Sequence, residues 1–240
     1  MGIPQSIQLG AAPLEPGALA GTASAADLVA RLPTVEPLYR NRVKRAFDVV
    51  GAIGLLVLFG PLMLLVALLI ALDGGPAVFG HRRIGADGRD FTCLKFRSMV
   101  VNAHEVFDSL MARDAEARAE WAATRKLRND PRITWIGRFL RRTSLDELPQ
   151  LLNVLKGDMS LVGPRPIVEE EVARYHVCFP FYTRCRPGLT GLWQVSGRND
   201  VDYGRRVQLD TAYLLGWTFW GDIRILLRTV GVMISGKGAY

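Results

Sequence analysis

From Val49 to Leu72 the chain runs 24 residues without a charge, between Asp48 and Asp73. As a helix that stretch is about 36 Å long, against a hydrocarbon core of about 30 Å, so length alone allows a plain transmembrane span. Its centre, LLVLFGPLMLLVALL, contains Gly60 and Pro61. Proline lacks the backbone N–H that the carbonyl of Val57 would use, and its ring clashes with that carbonyl. The break leaves Val49–Phe59 and Leu62–Leu72, 11 residues each, or about 16 Å of helix per arm, the depth of one leaflet. Spanning helices tolerate proline when neighbours satisfy the freed carbonyl, so spanning and re-entrant readings both fit the pattern. Charge weighs toward the second without closing the choice. Arg40, Arg42, Lys44 and Arg45 lie upstream, and Arg82, Arg83 and Arg89 downstream. Basic residues favour the cytoplasmic side, and only a segment that dips in and returns keeps both clusters there.

The flanking chain narrows the classes further. Residues 1–40 are rich in Ala, Gly, Pro and Leu and read as a disordered tail. They lack the basic start of a secretory signal, and the apolar run comes too late for one. Three cysteines form no CxxC pair and the three histidines are scattered, which argues against a disulfide framework or a zinc site. A formal charge of +7 favours a polyanionic partner: nucleic acid, a phosphorylated substrate or an anionic membrane face. The basic residues are not interleaved with aromatics on one face, which weighs against nucleic acid.

Asp73-Gly-Gly-Pro76 stacks helix breakers. Beyond it, AVFGHRRIGADGRDFTCLKFRSM reads as a short β unit with a turn at Ala86–Arg89. The stretch from Val101 to Lys126 reads as one charged helix. ITWIGRFLRRTSLDELPQLLNVLKGDMSLVGPRP predicts a helix ending near Arg142 and a second from about Ser144 to Lys156, closed by Gly157. The glycines of GPRP and PGLTG read as turns. Two further helices are expected around Val201–Leu215 and Asp222–Ser235. In the latter, Arg224 and Arg228 are expected opposite Ile223, Leu226 and Leu227, a pattern suited to a helix lying in the membrane interface.

Chemistry concentrates in Ser144-Leu-Asp-Glu-Leu-Pro149. Ser144 and Glu147 match a capping box, and Asp146 would complement the helix dipole, a purely structural reading. Pro149 disturbs it: either the helix starts later, with Pro149 at its first position, or the first turn is distorted. Both alternatives leave two carboxylates beside free backbone N–H groups, a setting suited to phosphate. Adjacent carboxylates diverge by about 100° on a helix, so they suit different tasks. One can attack phosphorus while the other holds a divalent cation. Lys95, Arg97, Arg141, Arg142, Arg165 and Arg198 are the candidate phosphate-binding cations, because arginine's planar fork matches phosphate oxygens.

Taken together, KRAFDVVGAIGLLVL…GPLMLL, GHRRIG, CLKFRSM, DPRITWIGRFLRRTSLDELPQLLNVLKGDMSLVGPRP and RPGLTGLWQVSGRND resemble the bacterial sugar transferases, the monotopic polyprenyl-phosphate phosphoglycosyl transferases. The match runs in order over about residues 42–235. It is most similar to the short enzymes that start exopolysaccharide assembly by moving galactose-1-phosphate from UDP-galactose to undecaprenyl phosphate. The resemblance implies Asp146 as the nucleophile that takes the phosphosugar and releases UMP. It implies Glu147 as an Mg²⁺ ligand or proton acceptor, with Mg²⁺ held by Asp146 and Glu147. Lys95 is the basic residue of the KFRSM motif, with Arg97 beside it; Arg141 and Arg165 would hold phosphates, and Arg198 with Asn199 would sit near the nucleotide. The family's re-entrant helix breaks near a proline that falls on Pro61.

The combined expectation is a mostly helical α+β protein. A tail (1–40) precedes a re-entrant helix-break-helix (41–73) and a cytosolic, membrane-associated transferase domain (74–240) with interfacial amphipathic helices around a short β unit. The location implied is the cytosolic face of a bacterial inner membrane, with downstream glycosyltransferases as partners. Only about 40 residues precede the unit, the minimal catalytic form by comparison with larger members. From the residues alone, a non-catalytic basic module that binds anionic lipid or a partner also accounts for the charge and the apolar anchor. It gives no reason for two carboxylates among arginines.

Overall fold

The protein is described by a computed structural model covering residues 36–124, 127–197 and 201–235. Its dominant element is α1, Arg42–Ala71, of 30 residues and thus about 45 Å long. Asn41 caps it by accepting the Lys44 N–H at 2.9 Å. The helix runs unbroken through Gly60 and Pro61, so the expected division into two helices at that pair is not found. An interior proline removes a single hydrogen bond, which a long helix absorbs within its turns. The most apolar stretch of α1 has a mean hydropathy of 2.9 and is only 11% buried. A core helix of a soluble protein would be mostly covered. Val57, Leu58, Leu64 and Leu65 all face outward.

Both ends of α1 are nonetheless fixed to one body. At its N-terminal end Lys44 donates to Asp222 at 2.8 Å and to the Val162 carbonyl at 2.9 Å. One turn on, Asp48 accepts from Ser160 Oγ at 2.9 Å and the Leu161 N–H at 3.0 Å. At the C-terminal end Val66 and Ile70 pack on Phe96, Ile136 and Leu140. Two of the four upstream basic residues are therefore structural: Lys44 is buried, and Arg45 caps the carbonyls of Val154 and Leu155 at 2.6 and 2.8 Å.

The β unit is an antiparallel hairpin of β1, Val78–Ile84, and β2, Asp90–Phe96. Its connection carries Asp87 at φ 56° and Gly88 at φ 70°, left-handed conformations that Asp and Gly adopt most readily. The charged stretch that follows is two helices rather than one, α2 at Ala103–Arg113 and α3 at Ala115–Thr124. Asp114 between them is extended and its carboxylate accepts the Ala117 N–H, so it acts as a cap that competes with a continuous helix.

Helix α4, Trp135–Thr143, leads into a 3₁₀ turn, Leu145–Glu147, and then α5, Gln150–Lys156. Gly157 at φ 94° ends α5 as expected. Strand β3, Ser160–Val162, pairs in parallel with β4, Gly188–Thr190, a ladder that the glycine-rich sequence concealed. Those glycines are not merely turns. A side chain on Gly163 or Gly188 would strike the backbone of the facing strand. Two short helices, α6 at Glu169–Tyr175 and α7 at Phe179–Tyr182, precede α8, Tyr203–Leu215, and α9, Phe219–Ser235.

The main core joins β3, β4, α5, α8 and α9 to the N-terminal half of α1. The chain is already seated on this body at residue 38. Leu38 is buried and Arg186 donates to the Tyr39 carbonyl at 2.8 Å, so residues 36–40 do not belong to a disordered tail. Residues 1–35 lie outside the described residues. On α9 Ile225 is buried, whereas Trp220, Arg224, Leu227 and Arg228 are exposed. The arginines therefore share the outer face with Leu227 instead of opposing it.

Candidate active site

The candidate site is the turn between α4 and α5. Ser144 ends α4 in the left-handed conformation, at φ 58°, and makes no side-chain cap. The capping-box reading of Ser144 and Glu147 is thereby replaced. The chain makes one 3₁₀ turn, and Pro149 sits immediately before α5, where its missing N–H costs nothing. Both alternatives read from Pro149 hold in part: the helix starts late and the turn before it is distorted.

Within that turn the two carboxylates part company. Asp146 is buried, 9% exposed, while Glu147 points toward β2 and accepts from Lys95 Nζ at 2.6 Å. Burial pushes the Asp146 carboxyl up to about 6, Lys95 and Arg141 acting against the rise and Glu147 adding to it. Burial disfavours charge on Lys95, but Glu147 and Asp146 outweigh it and hold the ammonium above its ordinary value. Arg141, from the last turn of α4, donates through Nε to Ser98 Oγ at 2.9 Å. Burial lowers its pKa, and the charge of Asp146 acts to raise it.

The strand end that supplies Lys95 also ties the site to α1. Arg97 directs its guanidinium at Asp73, at the Pro76 carbonyl (2.7 Å) and at the Ile70 carbonyl (3.1 Å). The sequence places it among the phosphate-binding candidates, but its donors go to the C-terminal end of α1 and the residues just beyond it, and the side chain is 8% exposed. Arg142 is exposed. The Arg165 guanidinium lies 5.5 Å from the centre of the Trp193 ring. Arg198 and Asn199 lie outside the described residues.

Sequence reasoning missed two residues that hold this geometry. Asn153 on α5 accepts the Leu94 N–H at 3.0 Å and donates to the Thr92 carbonyl at 2.8 Å. Its amide thus pairs the free edge of β2 as a strand would, which sets Lys95 against the turn. Ser98 fixes Arg141. Its neighbour across the contact is Gly137, where a Cβ would collide with the Ser98 backbone. An asparagine in an amphipathic helix and a lone serine carry no pattern of their own, so neither could be singled out.

Among the described residues no three His, Cys, Asp or Glu side chains converge. A site built wholly from protein ligands is not what Mg²⁺ requires; it commonly takes one or two carboxylates and completes its shell with water and substrate phosphates. Asp146 and Glu147 fit that partial set. Bound there, the ion would offset phosphate charge.

Residues 39–236 match the family described as Bacterial sugar transferase. The chain is 57% identical over 198 residues to an undecaprenyl-phosphate galactose phosphotransferase of Salmonella typhimurium, covering 82% of this chain and 42% of that protein. It is 54% identical over 198 residues to a UDP-galactose-lipid carrier transferase of Erwinia amylovora, with the same coverage. The exopolysaccharide production protein ExoY of Rhizobium meliloti is 51% identical over 198 residues, covering 82% of this chain and 88% of that protein. The chain thus spans about two fifths of the first two relatives and most of the third. With the matched region running from before α1 to the end of α9, this chain belongs to the bacterial sugar transferase family.

Proposed function

We propose that the chain transfers a hexose-1-phosphate, galactose-1-phosphate in the first instance, from a UDP-sugar to undecaprenyl phosphate and releases UMP, the first membrane step of exopolysaccharide synthesis. The observation that carries this reading is the turn at Leu145–Glu147: one carboxylate is buried and the other is neutralised by Lys95. The names of the relatives support the substrate classes.

The chemistry follows from the environment of each group. With its pKa raised to about 6, Asp146 is mostly ionised at pH 7 yet more basic than an exposed aspartate, a favourable state for a nucleophile. Its oxygen attacks the sugar-bearing phosphorus of the UDP-sugar. A P–O bond forms to Asp146, the bond to the bridging oxygen breaks, and UMP leaves with that electron pair. A phosphate oxygen of undecaprenyl phosphate then attacks the same phosphorus and expels the carboxylate, giving the lipid diphosphate sugar and restoring Asp146. Lys95 and Arg141 stabilise charge on the transferring phosphoryl oxygens. Incubating the full chain with UDP-galactose and undecaprenyl phosphate in detergent is expected to yield UMP and a labelled lipid. Release of UDP would point to ordinary glycosyl transfer and defeat the reading.

For the membrane, the reading is an α1 that enters one leaflet and returns by bending at Gly60-Pro61 within a single run of helix, with the body on the cytosolic face. Support comes from the two ends of α1, both attached to one body while its middle stays bare. Trp135 and Phe139, one turn apart on α4 and exposed beside Arg138, and Trp220 on α9 suit the headgroup level. Cysteines introduced at Arg42 and Gly74 are expected to react with the same membrane-impermeant reagent from the same side in oriented vesicles. Labelling from opposite sides would establish a span instead.

A further inference from the structure

We infer that a groove beside the first turns of α1 holds an anionic phospholipid of the bilayer, with its phosphate at Arg40 and Arg42 and its acyl chains along Val49 and Val50. This goes beyond the transfer reaction and rests on the membrane reading above. The groove has a volume of about 480 Å³ and is lined by Tyr39, Arg40, Arg42, Ala46, Val49 and Val50. That size is within the range that encloses a small molecule. It suits a headgroup and the start of its chains rather than a whole lipid.

Polarity changes along the groove as it does along a phospholipid. Arg40 and Arg42 precede the uncharged run that opens at Val49. Seven residues of helix carry the chain about 10 Å from Arg42 to Val49, enough to pass through a headgroup layer about 5–8 Å thick. Of the four basic residues upstream of that run, Lys44 is buried against Asp222. Arg45 also lines the groove, but its guanidinium is engaged at the Val154 and Leu155 carbonyls. Arg40 and Arg42 remain: both are exposed, and neither makes an ion pair with any described residue. Arg42 does not serve its helix either, because a cation in the first turn opposes the macrodipole. The wall beside Arg40 is fixed. Tyr39, whose ring lies 5.7 Å from the Arg40 guanidinium, donates to Asp87 at 2.5 Å, and its carbonyl accepts from Arg186 at 2.8 Å. Two arginines of this kind, above an apolar channel at the foot of a membrane helix, complement an anionic headgroup; each is worth about fivefold in affinity.

Position separates this lipid from the acceptor. Arg45 fastens the groove to the C-terminal end of α5, whereas Asp146 and Glu147 precede the N-terminal end of the same helix. The seven residues of α5, about 10 Å of helix, lie between them. A nucleophile must come within about 3–3.5 Å of the atom it attacks. A phosphate seated at Arg40 and Arg42 is therefore not the one that reacts, and the lipid in the groove is a resident, not a substrate.

The test is native mass spectrometry of the full chain released from detergent and titrated with phosphatidylglycerol, phosphatidylcholine and undecaprenyl phosphate. Turnover kinetics and flotation with phosphatidylcholine vesicles run alongside. Wild type is expected to hold one phosphatidylglycerol about tenfold or more tighter than phosphatidylcholine. The double variant Arg40→Gln with Arg42→Gln is expected to lose about 10- to 30-fold in phosphatidylglycerol affinity. Its phosphatidylcholine affinity and its KM for undecaprenyl phosphate should change less than about twofold. Ala46→Trp, which fills the groove and keeps both charges, is expected to weaken phosphatidylglycerol about tenfold. Thermal unfolding checks the fold of each variant, and Arg40→Gln alone, outside α1, is expected to lose about fivefold should the double variant fail to fold. Unchanged phosphatidylglycerol affinity in the glutamine variants overturns the site. A loss there with Ala46→Trp unaffected would mean diffuse attraction to a charged surface, and overturns it too. Undecaprenyl phosphate that displaces the lipid, with its KM raised by the glutamines, would assign the groove to the acceptor and overturn the resident lipid. A chain that does not float with the vesicles defeats the membrane reading and the groove together. One that floats and turns over without preferring phosphatidylglycerol defeats the groove alone.

Discussion

Asp146→Asn is expected to lower transfer by about 10⁴-fold or more, the scale seen when a covalent nucleophile is removed, and to abolish a phosphosugar adduct trapped by acid quench. Retention of more than about a tenth of wild-type rate would remove Asp146 from the nucleophile role. The same residue sets a pH dependence. With its pKa at about 6, the ionised fraction falls below that pH, so kcat/KM is expected to drop about tenfold per pH unit under about pH 5. Stability runs the other way. The folded pKa is raised from 3.8 to about 6, so the native state binds the proton more tightly than the unfolded chain. The stability that this confers is complete below about pH 4 and lost as pH rises through about 6. That difference corresponds to about 3 kcal/mol. The amide of the Asp146→Asn variant mimics the neutral acid. The inactive protein should therefore unfold at a higher temperature than wild type at pH 7, and at the same temperature near pH 4.

Asp222→Ala is the second large effect, and it concerns the attachment of α1. Asp222 accepts from Lys44 at 2.8 Å, Tyr213 OH at 2.8 Å and Trp217 Nε1 at 3.0 Å, and both charged partners are almost wholly buried. Removing one partner leaves a buried, uncompensated ammonium, a cost of about 3–5 kcal/mol. For a domain of this size that corresponds to a drop in midpoint of roughly 6–20 °C, measurable by circular dichroism in detergent. Because a desolvated ion pair is itself a poor stabiliser, the double variant Lys44→Met with Asp222→Leu should recover most of the loss. An unchanged midpoint in Asp222→Ala would show that the pair is solvated and does not fasten the helix.

Local chemistry made several features legible in advance. The hairpin showed in its Asp-Gly turn, the end of α5 in Gly157, and the site in two carboxylates beside a proline that a simple cap cannot accommodate. What stayed hidden depends on residues far apart in sequence. Arg97 resembles a phosphate ligand until Asp73, 24 positions earlier, is found beside it. Short parallel strands carry no period, so β3 and β4 read as loop. Proline penalises a helix locally, but a run of apolar residues on either side of Pro61 was sufficient to keep α1 whole.

The attachment of α1 at both ends has a mechanical consequence. A body joined to its anchor at one place can swing, and the height of its working face above the lipid then fluctuates. Joined at Lys44 and Asp48 on one side and through Arg97 at Ile70 on the other, it behaves as a shelf on two brackets, with tilt and elevation both prescribed. The spacing between brackets is counted in residues. One residue added between them would turn one attachment by about 100° relative to the other and shift it by about 1.5 Å. In the membrane-bound transferase proposed above, the length of this greasy segment is then a dimension of the catalytic apparatus, not simply a quantity of hydrophobicity.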